Sequence, residues 1–406
     1  MKMPLGKVMT FGMLGWASLG HAAVWTTTNQ WSPDAEKSYQ AWALTAIAKN
    51  TFVRPGPLQG VVLDCADSVY SMRMYYSFLS GLPFVIHDPT GSGTITNDMT
   101  RFDRIADPSE RFRAFAEWIY GVAGTSSLPR DSYPVAVTRD AVHGGVFVRS
   151  DPANHHSWSI QQVDNTGIPH LFFASRPART TLFERDYIPS MDFMFPHGNT
   201  LASEAGFRMW RHPEDILKPE WEVPGYSTDQ FEIPIGKWIR TVQKRLQLVN
   251  ESPEQRTIRA LGNACAEARD RVGVIAEGVA FLATMGDRVC MTPEEFDDYS
   301  TPSKDARTKA AFQELADAYV AAGNGVDLSP AVKAEADSVV AGEGSATSLA
   351  EPYCRVKISA TDSLTLGQVF DRSLHDKLSS NPLDPFEIRW GDAPGPSARA
   401  AGCPSY

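Results

Sequence analysis

Cysteine is scarce in this chain, and its distribution is uneven: five in 406 residues, with Cys265, Cys290, Cys354 and Cys403 in the C-terminal part and Cys65 alone near the start. Basic residues are also in deficit, 38 against 48 acidic ones, for a formal charge of −10. Such a balance excludes a general electrostatic footprint for DNA, RNA or anionic lipid. After the first twenty residues no apolar run reaches the roughly 20 residues needed to cross a bilayer, so no integral membrane segment is expected in the mature chain. Three catalytic signatures are missing as well. There is no His-Glu-x-x-His metal helix and no Gly-x-Ser-x-Gly elbow, and the Gly91-Ser-Gly93 loop lacks the Lys-Ser/Thr of a phosphate-binding loop. The spacing of Asp151, His155 and His156 matches no strong zinc pattern, so neither metal nor other cofactor is expected.

What is present begins with a leader. Lys2 and Lys7 precede an apolar stretch over 8–19, and Gly20-His-Ala22 offers small residues at a cleavage site, the pattern of a secretory signal peptide over residues 1–22. The mature protein is therefore expected in the periplasm or outside the cell. In that oxidising setting the four late cysteines should pair, in one of three ways, leaving Cys65 over.

The hydrophobic fraction of 43% and ten tryptophans suffice for a large core, and the length suits two domains. Apolar spacing predicts a helix over 38–50 and another opening at Cys65, with Asp64 as N-cap and Gly81 as stop. A helix should begin at Asp107-Pro-Ser109. Strands are expected over 82–86, 133–138, 146–148, 158–163 and 170–174, the last two joined by the turn Asp164-Asn-Thr-Gly167. Residues 179–236 are rich in proline and aromatics, including Phe193, Phe195, Phe207 and Trp210, and read as an ordered, irregular wrap. Long helices follow over 253–285 and 306–322, with flexible joints over 341–348 and 392–397. The expected organisation is α+β over 24–250, with the wrap from about 179, followed by a mainly helical, disulfide-stabilised part over 251–406.

A thiol attacks carbonyl carbon as thiolate, so a catalytic cysteine needs its pKa lowered by a helix N-terminus and a histidine. Cys65, expected between a buried strand at 61–63 and a helix, meets the first requirement. His155 and His156 alternate on a strand, so one of them at most faces Cys65. His156, in phase with Trp158 and Ile160, is the expected base. Gln59, six residues before Cys65, is a weak oxyanion candidate beside the Cys65 N–H, and Glu294, Glu295, Asp297 and Asp298 read as solvated surface.

Leu63-Asp-Cys-Ala-Asp-Ser-Val-Tyr-Ser-Met72 resembles the helix start of NlpC-type papain-like cell-wall peptidases. Val142-His-Gly-Gly-Val-Phe-Val148 and His156-Ser-Trp-Ser-Ile160 resemble two of that family's strands. Asp67 and Gly145 depart from the family pattern, and the resemblance covers roughly 64–175. It implies a papain-like fold, a thioester mechanism on an amide bond, peptide or peptidoglycan stems as substrate, and a third catalytic residue on the strand after the hairpin, which points to His170. Asp64-Cys-Ala-Asp67 with Gly81-Leu-Pro83 is also similar to transglutaminase-like acyl transferases. A binding protein that kept the fold without chemistry is the alternative of a different class. Labelling of the native, non-reduced protein with a thiol reagent should modify Cys65 alone. A modified Cys265, Cys290, Cys354 or Cys403 would contradict the expected pairing.

Overall fold

A computed structural model describes residues 23–151, 154–186, 204–341 and 354–406. The leader, Phe193 and Phe195 of the wrap, and all but the first residue of the expected joint at 341–348 lie outside the described residues.

The chain opens with helices α1 (Pro33–Ala46) and α2 (Cys65–Ser80), then a hairpin of β1 (Val85–His87) and β2 (Thr94–Thr96). Next come α3 (Pro108–Val122), the short α4 (Leu128–Asp131), β3 (Ser132–Pro134) and the short α5 (Arg139–Val142). Strands β4 (Val146–Asp151), β5 (Asn154–Val163), β6 (Pro169–Phe173), β7 (Phe183–Asp186) and β8 (Gly206–Trp210) follow. They join β3 in one six-stranded antiparallel sheet of order β3-β8-β4-β5-β6-β7. The expected turn closes β5 onto β6, with Asp164 Oδ1 accepting from the N–H groups of Thr166 and Ile168.

Two cores flank this sheet. On one face Val146, Val148, Phe172 and Ala174 pack with Ala66, Val69 and Tyr70 of α2 and with Phe112 and Phe115 of α3. On the other, Phe147, Trp158, Ile160, Leu171, Phe173 and Phe207 pack with Trp238, Val242 and Leu246 of α6 (Trp238–Leu246). The segment expected as an irregular wrap thus contributes two strands, and β8 lies between β3 and β4. All five of its residues are buried, so it carries no polar alternation by which a strand is recognised. The expected strand before Cys65 reduces to a single bridge between Leu63 and Arg179, and Val62 is exposed.

The remainder is mainly helical: α7 (Pro253–Thr284), α8 (Pro293–Tyr299), α9 (Pro302–Ala321), α10 (Pro330–Val340), a hairpin of β9 (Arg355–Lys357) and β10 (Ser363–Thr365), α11 (Leu366–Leu374), and the short α12 (Phe386–Arg389) and α13 (Ala398–Ala401). Leu261, Ala264 and Ala268 of α7 pack against Phe312 and Leu315 of α9 around a separate core. Disulfides join Cys265 to Cys354 and Cys290 to Cys403, and Cys65 is free. No helix among the described residues is long and apolar enough to cross a membrane.

The helical part is held to the sheet edge by buried charge. Arg185 of β7 donates to Glu267 of α7 at 2.8 Å and also contacts Asp270, while Arg307 reaches the other Glu267 oxygen at 3.4 Å. The Arg185 and Glu267 side chains are 6% and 2% exposed, so removing one charge strands the other in low dielectric. Arg185→Ala is expected to lower stability in urea by about 3–5 kcal/mol. Glu267→Gln should cost less, because Arg185 keeps Asp270. An Arg185→Ala midpoint equal to wild type would mean that this contact does not hold the two parts together.

Candidate functional site

The site is built on the first turn of α2. Asp64 Oδ1 accepts from the N–H groups of Ala66 and Asp67 at 3.1 and 3.3 Å, and Asp67 Oδ2 accepts in return from the Asp64 N–H at 3.0 Å. This reciprocal cap fixes the helix start, as the sequence leads one to expect of Asp64, and leaves the Cys65 N–H without a hydrogen bond among the described residues. Burial, with Asp64 beside it, lifts the Asp67 carboxyl to a pKa of about 7. One turn on, Ser68 donates to the Cys65 carbonyl at 2.8 Å and accepts from the Ala174 N–H at 3.3 Å, which ties the helix start to the chain leaving β6.

The thiol is hydrogen-bonded to a hydroxyl rather than an imidazole. Cys65 Sγ lies 3.2 Å from Thr125 Oγ1, and that oxygen lies 3.4 Å from Ser157 Oγ of β5. Burial raises the thiol pKa, and the neighbouring Asp64 carboxylate adds to the rise. The Thr125 hydroxyl and the backbone N–H groups of Ala66 and Ser157 oppose it. Burial and Asp64 thus favour the protonated thiol over the thiolate.

The two histidines are placed opposite to the sequence expectation. Ser157 faces Thr125 and α2, so its neighbour His156 faces the other side of the sheet. There the His156 ring packs edge-on against Trp158 (centroids 4.3 Å apart) and Phe173 (5.4 Å). The residue as a whole is only partly exposed, and its Nε2 is sealed with no hydrogen-bond partner among the described residues. His156 thus packs as a neutral ring against Trp158 and Phe173, while part of the residue also borders the Cys65 cavity. Being in phase with Trp158, rightly read from the sequence, puts it in the wrong core. His155, in phase with Ser157, is exposed on the Cys65 side.

His170 is not the third member either. Its Nδ1 lies 2.7 Å from Asp186 Oδ1 and its Nε2 lies 2.9 Å from Glu184 Oε1, so both ring nitrogens are committed to β7. Burial disfavours its charged form, but the two carboxylates outweigh this and raise its pKa. It stands four residues before Ala174, the β6 neighbour of the helix start, and does not line the Cys65 cavity. Arg176, in the bend after β6, lines the cavity, and no carboxylate of β6 does so. Gln59 is exposed, its carbonyl accepts from Arg113, and it does not line the cavity.

Cys65 opens into a cavity of about 570 Å³. Asp64, Thr125, Ser126, His155, His156 and Ser175 form the near wall together with Arg176, and Asp297, Ser300, Pro302, Ser303 and Lys304 form the far wall. The far wall comes from α8, α9 and the link between them, more than 230 positions along the chain from Cys65. Asp297, grouped from sequence with the solvated acidic surface, is exposed and lines the cavity rim. Sequence reasoning did not find Thr125, Arg176 or Lys304, and no local pattern marks them. As for metals, His212, Glu214 and Asp215 form the cluster of suitable proximity among the described residues. Asp215 is already paired with Lys218 at 2.6 Å and His212 with Glu36 at 2.9 Å.

Searches against family models, curated proteins and solved structures each found no match to this chain.

Burial depresses the His156 pKa to about 3, with the cations Arg307, Lys304 and Arg149 adding to the effect. An unfolded chain takes up this proton near pH 6.5 and the folded one only near 3. Stability carried by the neutral ring is thus complete above 6.5 and is lost as pH falls between these values, by up to about 1.4 kcal/mol per pH unit. His156→Phe should therefore lose about 2 kcal/mol less than wild type between pH 7 and pH 5 in urea titrations. Parallel losses in the two proteins would show that His156 is not buried neutral.

Proposed function

We propose that the chain is a cysteine hydrolase in which Cys65 attacks an amide carbonyl and His155 serves as its base. The supporting observation is that a free thiol at the N-terminus of α2 and a histidine in phase with Ser157 line one cavity. Cysteine at a helix start and histidine on the facing strand is the arrangement of the papain-like hydrolases that the sequence resembles.

In this mechanism His155 takes the thiol proton as sulfur bonds to the carbonyl carbon, and the Cys65 N–H, left free by the cap, donates to the developing oxyanion. Collapse expels the amine, which carries the proton away from His155, and leaves a thioester on Cys65. Water, activated by the same imidazole, then releases the acid. The exposed rim formed by His155 and Asp297 admits water to the thioester, which favours hydrolysis over transglutaminase-like transfer to an amine. Two disulfides and the expected leader support an oxidising, extracytoplasmic setting, where envelope peptides are the substrates the resemblance implies.

A second reading, a binding protein that retains the cavity without chemistry, draws on the raised thiol pKa and on the Thr125 contact in place of an imidazole. Turnover of peptide amides separates the two. Cys65→Ala should abolish it, His155→Ala should reduce it by at least about 100-fold, and His156→Phe should leave it within a few-fold of wild type. Wild-type turnover by Cys65→Ala would end the hydrolase proposal. A wild-type protein inert toward peptide amides, whose Cys65 alkylates with the same pH profile as in His155→Ala, would establish the binding reading.

A further inference from the structure

Lys304 is the most anomalous charge lining the Cys65 cavity. It lies in the first turn of α9 and is only 5% exposed, yet no carboxylate comes within ion-pair distance of its ammonium among the described residues. Its Nζ makes one long hydrogen bond there, 3.4 Å to the Arg176 carbonyl, so two of its three donors are unspent. Burying an ammonium is costly unless something compensates it, as Glu267 and Asp270 compensate the buried Arg185. Burial, with Arg307 and Arg179 nearby, depresses the Lys304 pKa to about 8 against the opposing pull of Glu267 and Asp270. The side chain is therefore still mainly charged at neutral pH.

Lys304 shares its wall of the cavity with the start of a helix. Pro302, Ser303 and Lys304 all line the cavity, and they are the first three residues of a 20-residue helix whose N-cap, Thr301, makes no side-chain cap bond. The Thr301 hydroxyl is committed elsewhere, donating to Asp305 at 2.9 Å and accepting from Arg389 at 3.2 Å. The positive end of α9 thus adds to the ammonium on the same wall. Arg176, exposed at the rim, adds a second cation.

We infer that Lys304 and the α9 N-terminus form a carboxylate subsite of the Cys65 cavity, so that the preferred acyl substrate carries a free carboxylate near the bond that Cys65 attacks. Asp64 and Asp297 line the same cavity and repel a dianion more than a monoanion, which favours a carboxylate over a phosphate. The substrate statement rests on Cys65 being the reactive centre, whereas the anion site does not.

Alkylation of Cys65 tests the site without requiring turnover. Iodoacetate and iodoacetamide both form a carbon–sulfur bond with loss of iodide and of the thiol proton to solvent, and they differ in the carboxylate. In wild type, the ratio of the iodoacetate rate to the iodoacetamide rate should exceed that of free cysteine by about tenfold at the same pH and ionic strength, equivalent to about 1.4 kcal/mol. Lys304→Met should return the ratio to the free-cysteine value with the iodoacetamide rate changed less than about threefold, and Lys304→Arg should keep most of the preference. If Lys304→Met does not fold, the wild-type protein still decides: acetate should slow the reaction with iodoacetamide and neutral acetamide should not. A ratio equal to that of free cysteine, or a Lys304→Met ratio equal to wild type, would overturn the subsite. Anion preference in a protein inert toward peptide amides would uphold the subsite and count against the hydrolase proposal.

Discussion

Asp64 and Asp67 exchange hydrogen bonds across the first turn of α2, and the geometry around the thiol depends on that exchange. Because Asp64 satisfies the N–H groups of Ala66 and Asp67, the helix begins at Cys65 and its unused donor is the Cys65 N–H itself. Ser68, one turn later, locks this start to the end of β6 and thereby to the whole sheet. The same exchange brings a carboxylate next to the sulfur, and burial does the rest in holding the proton on the thiol. The feature that positions the nucleophile therefore also opposes its ionisation. Any activating imidazole has to overcome Asp64, and a ligand that displaces water without bringing a cation deepens the problem.

Much of the local structure was legible because it is written in short-range chemistry. Asp64 and Gly81 bound α2 as N-cap and left-handed stop, Asp107 caps α3, and the Asp164 turn closes its hairpin. The pairing of the late cysteines with Cys65 left free is also as expected, although only the structure chooses among the three pairings. Long-range information was missing. Strand β8 hides because both of its faces are buried, and the His155–His156 pair was resolved the wrong way because Trp158 and Ile160 mark an apolar face without saying which of two cores receives it. His170 failed for a different reason. Its ring is explained by Glu184 and Asp186, both on a strand that the sequence did not reveal.

The cavity also shows why the chain's second half could not be read as a separate appendage. Arg185 on β7 is buried against α7, and the first turn of α9 then falls opposite Cys65. Mutations that loosen the Arg185–Glu267 contact are thus expected to act on the site through position, although neither residue lines it. The wall carrying Lys304 is set by packing of helices, and its charge is not foreshadowed by any motif near Cys65.

The order of the four paired cysteines has a topological consequence. Cys290 lies inside the loop closed by Cys265–Cys354, and Cys354 lies inside the loop closed by Cys290–Cys403, so the two covalent loops overlap in sequence. A single backbone cut anywhere between Cys265 and Cys403 therefore leaves the fragments joined by at least one bridge, and a cut between Cys290 and Cys354 leaves them joined by two. The helical wall of the cavity is a braid that one nick within it cannot divide. After such a nick, reduction parts the fragments from one another, whereas both bridges lie within the helical part and neither ties it to the sheet that carries the thiol.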